Sequence, residues 1–344
     1  MKVLIVCSRR YYAPYTEYVA PFIYEQVQAL RAKGVNVEYY LIAGGWRGYI
    51  RALWDIPKAV HSYRPDIVHG HSGLCCLVAA LAVKLFTRNT PKVFSTFHGS
   101  DVNSCSVRWL SRLAMQWSDC NIFVSEQLLR KAGKPRNAAV VPCSVDTTAF
   151  RPMDRTESRK QLGWEQDKTY ILFSKEFSDR VKNYPLAKAA VETLYSTSPD
   201  SDSHTPLREG ANSASEFPSS GGVRGGRSVV LLELFGYTRE QMPLLYNACD
   251  CALLTSFSEG SPQFIKEAVA CGCPVVSTDV GDVREVVAGV PNAFLCGYEA
   301  ADVAHCLRQA MAVGHLPSPA LPAHYTTPVV ADTLYALYQK SVDF

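Results

Sequence analysis

The chain has 344 residues, 47% of them apolar and 19% charged, the make-up of an ordinary globular protein about twice the size of one domain. The start, Met1-Lys2-Val3-Leu4-Ile5-Val6, is too short an apolar run for a secretory leader, so the 12 cysteines are expected to be reduced and the protein cytoplasmic. Cys249/Cys251 and Cys271/Cys273 are C-x-C pairs rather than zinc-site spacings, which makes them core thiols and leaves no metal site. The longest apolar stretch, Leu74–Phe86, contains Lys84 and falls short of the roughly 18 residues a spanning helix needs.

Net charge is only +3, yet residues 1–150 hold 18 basic against 9 acidic side chains, and the remainder 17 against 23. The two halves therefore face different partners.

In chain order, Val3–Val6 reads as a buried strand, followed by a helix carrying Phe22, Ile23, Val27 and Leu30 and closed by Gly34. Val35 to Leu41 alternates as a second strand. Further strands are expected at Asp66–His69, Lys92–Phe97, Asn121–Val124 and Ala139–Val141, with helical patterns between them. Such alternation implies a parallel sheet covered on both faces.

The second half repeats the scheme. Strands are expected at Tyr170–Phe173, Val229–Leu234, Cys251–Leu254, Pro274–Ser277 and Ala293–Leu295. Helices are expected at Pro185–Tyr195, Arg239–Ala248, Pro262–Cys271, Ala301–Val313 and Val329–Val342. The stretch 196–228 is rich in Ser, Gly, Pro, Asp and Arg, cannot offset its ordering entropy, and is expected to be a disordered insertion. The organisation is α/β: two Rossmann-like, doubly wound domains at 1–150 and 151–325, with 326–344 a helix able to pack back on the first. The crevice between such domains is the default ligand site.

The most informative stretch runs from Thr255 to Val276 as strand, turn, helix, turn and strand. Ser261 suits an N-cap and Pro262 the first helical position. The free amides of Gly260, Ser261, Pro262's successor Gln263 and the first turn then offer a site for a diphosphate. Glu259 stands before the helix and Glu267 two turns inside it, and a carboxylate can accept hydrogen bonds from vicinal hydroxyls.

Two glutamates with seven residues between them, followed by Ala268-Val269-Ala270-Cys271-Gly272-Cys273-Pro274-Val275-Val276, resemble the signature of family 4 glycosyltransferases, enzymes of the GT-B fold. The resemblance implies that Glu267 binds the donor ribose and that Glu259 contacts the donor sugar. Other matches cover most of the chain outside 196–228. Val141-Pro142-Cys143-Ser144-Val145-Asp146 with Phe150-Arg151-Pro152 resembles the segment joining the family's two domains, Cys143-Ser144 replacing Asn-Gly, a change read as one of turn geometry. Ile122 to Glu126 matches a strand-end V-S-E, Phe235 lies in a loop that usually lines the base pocket, and Gly281-Asp282-Val283-Arg284-Glu285 resembles G-G-x-x-E with Asp282 for the second glycine.

In the first half, Thr96-Phe97-His98-Gly99-Ser100-Asp101 follows a strand, where parallel sheets place ligand residues. The resemblance implies that His98 lies near the donor sugar and assists catalysis, while Asp101 orients either the loop or the acceptor. For the donor phosphates the family supplies an Arg and, six residues later, a Lys. Lys182 fits the second, Glu176 stands at the first, and Lys175 or Arg180 is the candidate replacement. The loop after the first strand, with Arg9 and Tyr11, lacks the family's paired glycines and is expected on the acceptor side.

The segments Trp46–Trp54 and Arg108–Arg112 mix Trp or Tyr with Arg. They suit either a membrane surface holding a lipid-linked acceptor or helices with aromatics packed inward; no nucleic-acid module accompanies the charge. The implied reaction is transfer of a hexosyl group, with retention of configuration, from a UDP- or GDP-sugar to a carbohydrate or lipid-linked acceptor in polysaccharide or glycolipid synthesis. No cofactor beyond the nucleotide sugar and no essential metal are implied, and the enzyme would be cytoplasmic or peripheral on the inner membrane face. Two alternatives stay open: a nucleotide-sugar epimerase of the same architecture, and a catalytically silent sugar-nucleotide-binding partner subunit.

Overall fold

Short apolar runs form the strands and amphipathic segments the helices of two α/β units. The computed structural model describes residues 1–9, 19–88, 90–175, 177–196, 208–209, 214–217 and 228–342. The first unit takes in Met1–Ser144, Glu259–Ser261 and Ala323–Phe344; the second takes in Val145–Ser258 and Pro262–Pro322.

The first unit runs β1 (Lys2–Ser8), α1 (Pro21–Ala32), β2 (Asn36–Ile42), α2 (Trp46–Tyr63), β3 (Ile67–His71), α3 (Gly73–Phe86) and β4 (Lys92–Phe97). It continues through α4 (Ser100–Asn103), α5 (Cys105–Trp117), β5 (Cys120–Phe123), α6 (Glu126–Ala132) and β6 (Ala138–Val140). Its six strands are all parallel, in the order β2-β1-β3-β4-β5-β6. Period-two alternation splits the strand side chains between two cores. Val3, Ile5, Ile67, Phe94 and Ile122 meet Ile23, Val27 and Leu30 of α1 on one face. Leu4, Val6, Val68 and Val93 meet Ala52, Ile56 and Val60 of α2 and the apolar length of α3 on the other.

The second unit runs α7 (Arg155–Leu162), β7 (Thr169–Phe173), α8 (Tyr184–Ser196), β8 (Arg208–Glu209), β9 (Ala214–Phe217), β10 (Val229–Glu233), α9 (Met242–Ala248) and β11 (Cys251–Leu254). It ends with α10 (Gln263–Ala270), β12 (Val275–Thr278), α11 (Val283–Val286), β13 (Ala293–Cys296) and α12 (Ala300–Val313). The sheet order is β13-β12-β11-β7-β10-β9-β8, with β9 antiparallel to both of its neighbours and the other neighbouring pairs parallel. A final helix, α13 (Thr327–Val342), returns to the first unit, where Val330, Leu334 and Tyr338 join the α1 core.

One local expectation is corrected. Helix α10 starts at Gln263, with Pro262 rather than Ser261 at the cap position and no side-chain cap, because Pro262 takes an extended ψ of 110°. Within the stretch 196–228, β8 pairs with β9 and β9 with β10, both antiparallel. Residues 197–207, 210–213 and 218–227, on which the expected disorder also falls, lie outside the described residues.

Candidate active site

In the first sheet β1 has β2 on one side and β3 on the other, so the chain changes direction between β1 and β3, where such sheets open a ligand crevice. A cavity of about 530 Å³ lies there. Cys7 and Ser8 from β1, His71 from β3, Ser72 and Gly73 at the start of α3, and His98 and Asp101 after β4 line its polar part.

Asp101 shapes the loop that carries His98. Its carboxylate accepts from the amides of His98 at 3.1 Å, Gly99 at 2.9 Å and Gly73 at 3.2 Å. Of the two roles open to Asp101, its contacts are those of a loop anchor. Residues Glu259–Ser261 lie against the same loop within this unit. A Cβ on Gly260 would stand 1.8 Å from the His98 carbonyl oxygen, and one on Gly99, whose φ is +135°, would stand 2.9 Å from the Gly260 nitrogen. Backbone approaches this close leave room for glycine alone. Asn103 Nδ2 donates to the Glu259 carbonyl oxygen at 3.2 Å, and the Glu259 side chain is half-buried.

The sequence reading passed over His71 and His69. Both point to one face of β3, two residues apart, and that spacing at a strand's carboxyl end was the signal available. His71 Nδ1 and His98 Nε2 share a hydrogen bond of 3.0 Å between stacked rings. His69 bonds Tyr338 at 2.5 Å and Thr96 at 2.6 Å. The Nε2 of His71 is buried and has no hydrogen-bond partner among the described residues. Burial drives His98 down to about 4 against the pull of the Asp101 charge, His69 down to about 3, and His71 well below the usual imidazole range. All three rings are neutral at ordinary pH. Cys143 also matters beyond turn geometry, since its thiol lies 3.9 Å from His98 Nδ1.

In the second unit the residues after β7 and β11 converge, because those strands are neighbours with parallel carboxyl ends. Thr255 Oγ1 donates to the carbonyl oxygens of Lys182 at 2.8 Å and Asn183 at 3.1 Å, and the Phe257 amide donates to Val181 at 3.0 Å. The turn bearing Arg180 and Lys182 is thereby tied to the end of β11. Lys175 is engaged by Asp179 at 2.8 Å, and Arg180 is exposed. Phe235, two residues past β10, is 57% exposed.

Glu267 is turned inward. Its Oε1 accepts from Arg239 at 2.5 Å and its Oε2 from the Tyr246 hydroxyl at 2.8 Å, and Arg239 also lies 4.4 Å from the centre of the Phe150 ring. Neither Arg239 nor Tyr246 was singled out in the sequence. Asp282, standing where the motif has a second glycine, pairs with the fully buried Lys266 at 2.9 Å. Gly260, Ser261 and Pro262 are buried, Gln263 opens α10, and Arg9 is exposed just past β1. Glu176 and Tyr11 lie outside the described residues.

Two parallel α/β units of this kind, with polar and charged residues gathered at strand carboxyl ends, define a protein of the GT-B type. The family model described as "Glycosyltransferase Family 4" matches residues 2–149, and "Glycosyl transferases group 1" matches residues 223–312. The chain belongs to this family of glycosyltransferases. Among curated relatives it is 30% identical over 170 residues to the D-inositol 3-phosphate glycosyltransferase of Arthrobacter sp. (strain FB24), a match covering 49% of this chain and 40% of that protein. The chain spans less than half the length of the first such relatives. The fold matches sucrose-phosphate synthase (tll1590) from Thermosynechococcus elongatus with a TM-score of 0.69 at 16% identity, over 99% of both chains. It matches Anabaena Alr3699/HepE in complex with UDP with a TM-score of 0.63 at 15% identity, over 100% of this chain and 99% of that one.

Proposed function

We propose that the protein is a retaining glycosyltransferase that moves a hexosyl group from a UDP- or GDP-sugar to an acceptor hydroxyl, in polysaccharide or glycolipid synthesis on the cytoplasmic side of a membrane. The observation that carries this reading is the Glu259–Glu267 string after β11, inside the second matched region.

Lys182, Arg180 and the first amides of α10 oppose the negative charge that grows on the departing diphosphate. Glu267 receives the ribose hydroxyls; each carboxylate oxygen has a lone pair left beside its bond to Arg239 or Tyr246. Glu259 receives hydroxyls of the sugar, and Phe235 offers a face to the base. The cavity in the first unit receives the acceptor. The buried Nε2 of His71, without a hydrogen-bond partner among the described residues, would bond a hydroxyl there after a small shift of the ring.

The bond from the anomeric carbon to the diphosphate breaks through an oxocarbenium-like state. The acceptor oxygen bonds that carbon on the same face and its proton passes to the departing phosphate oxygen. Neutral His98 hydrogen-bonds a sugar hydroxyl during this step. Since protein cations and amides supply the positive charge, turnover is proposed to need no metal, and a chelator should leave it unchanged.

Incubation of pure protein with a panel of isotope-labelled nucleotide sugars, read by mass spectrometry, tests the reading, with UDP-sugars the first to try. Sugar transfer or slow donor hydrolysis supports it. A rearranged sugar on the intact nucleotide means an epimerase, and saturable binding without turnover means a silent binding subunit.

A further inference from the structure

Four of the chain's five tryptophans, Trp46, Trp54, Trp109 and Trp117, lie on α2 and α5 of the first unit. They are exposed by 68%, 59%, 59% and 37%, although tryptophan is on average a highly buried residue. Ile50 and Leu113, also exposed, stand midway between the members of each pair. The spacing 46/50/54 and 109/113/117 makes one apolar stripe along each helix. The opposite sides of the helices, Ala52, Ile56 and Val60 on α2 and Ser111, Ala114 and Met115 on α5, are buried. Helix α3 packs against both and ends in the exposed Leu85 and Phe86, the Phe86 ring 5.2 Å from that of Trp54.

The charge of this region is one-sided. Residues 46–117 hold nine Lys and Arg against three Asp and no Glu. Each of those acids is engaged: Asp55 by Arg51 and Lys58, Asp66 by the Lys2 amide, and Asp101 by the loop amides. Arg47 lies over the Trp46 ring and Arg112 is exposed on α5. Bare aromatic surface of this extent marks an interaction site. Tryptophan prefers the headgroup depth of a bilayer, and arginine beside it is drawn to anionic lipid.

We infer that the outer face of α2, α3 and α5 docks on an anionic lipid bilayer, with the tryptophan stripes among the headgroups and Arg47, Arg112 and their neighbours against lipid phosphates. Leu74 and Val107, exposed at the starts of α3 and α5, also line the 530 Å³ cavity, so the docked face includes the cavity's apolar lip. The docking does not depend on the transferase reading and stands or falls separately from it.

The test is flotation of the full chain with vesicles of phosphatidylcholine alone or mixed with phosphatidylglycerol. Wild type should float with the mixed vesicles and much less with the neutral ones. Trp54→Ala with Trp109→Ala should lower the bound fraction about tenfold or more, and Arg47→Glu with Arg112→Glu should abolish the preference for anionic lipid. All four positions are exposed, and unchanged thermal midpoints will show that the variants fold. Failure to float, equal binding to neutral vesicles, or variants that bind like wild type would overturn the inference. So would a lipid-free dimer, seen by sedimentation, that the tryptophan substitutions dissociate.

Discussion

His71 Nδ1 and His98 Nε2, 27 residues apart in sequence, lie 3.0 Å from each other and join the end of β3 to the loop after β4. Two neutral imidazoles can share only one proton in such a bond, so the tautomer of either ring sets that of the other. His71 is thus a positioning residue for His98.

His71→Ala should lower kcat about 10- to 100-fold, the scale of losing catalytic alignment, while nucleotide affinity stays at the wild-type value. His71→Gln, which can still bond His98, should recover part of the loss. Steady-state kinetics beside a nucleotide titration separates the two effects. An unchanged kcat in His71→Ala would remove His71 from the site.

The buried histidines make stability depend on pH. Their folded-state values, about 3 for His69, about 4 for His98 and well below 6.5 for His71, lie under the unfolded value. The unfolded chain therefore takes up protons first, and stability present above pH 6.5 is lost as pH falls towards 4. The slope should reach up to about 1.4 kcal/mol per pH unit for each histidine. Denaturant titrations between pH 7.5 and pH 4.5 measure it, and a profile flat over that range is the contrary result.

Glu267→Gln should weaken nucleotide binding about 10- to 100-fold, the worth of hydrogen bonds to a charged acceptor, while Glu126→Gln on α6 leaves it unchanged. The glutamine is chosen over alanine because truncation would strand the Arg239 guanidinium and the Tyr246 hydroxyl in a buried site. Calorimetric titration with UDP and GDP decides between the variants. Equal affinities would count against Glu267 as the ribose ligand.

The Lys266–Asp282 pair is buried on both sides, with side chains 0% and 2% exposed. Asp282→Ala should cost about 3–5 kcal/mol by taking a carboxylate away from a buried ammonium, and adding Lys266→Met should restore most of it. Urea midpoints of the single and double variants measure both. A single variant as stable as wild type would show that water reaches the lysine.

The alternation of apolar runs and helices, and so the two parallel α/β units, was legible in the sequence alone, because strand and helix periodicities are set by neighbouring residues. Lys92–Phe97 and Cys251–Leu254 came out residue for residue as β4 and β11. The same local pattern placed Glu259 before a helix and Glu267 inside it. What only the tertiary structure decided are the pairings across long sequence separations: His71 with His98, Glu267 with Arg239 and Tyr246, and Lys266 with Asp282. No periodicity encodes which strand ends become neighbours, since that follows from sheet order. The tryptophans show the same divide. The sequence left open whether the aromatics of Trp46–Trp54 and Arg108–Arg112 pack inward, and only the packing of α2 and α5 turned Trp46, Trp54 and Trp109 towards solvent.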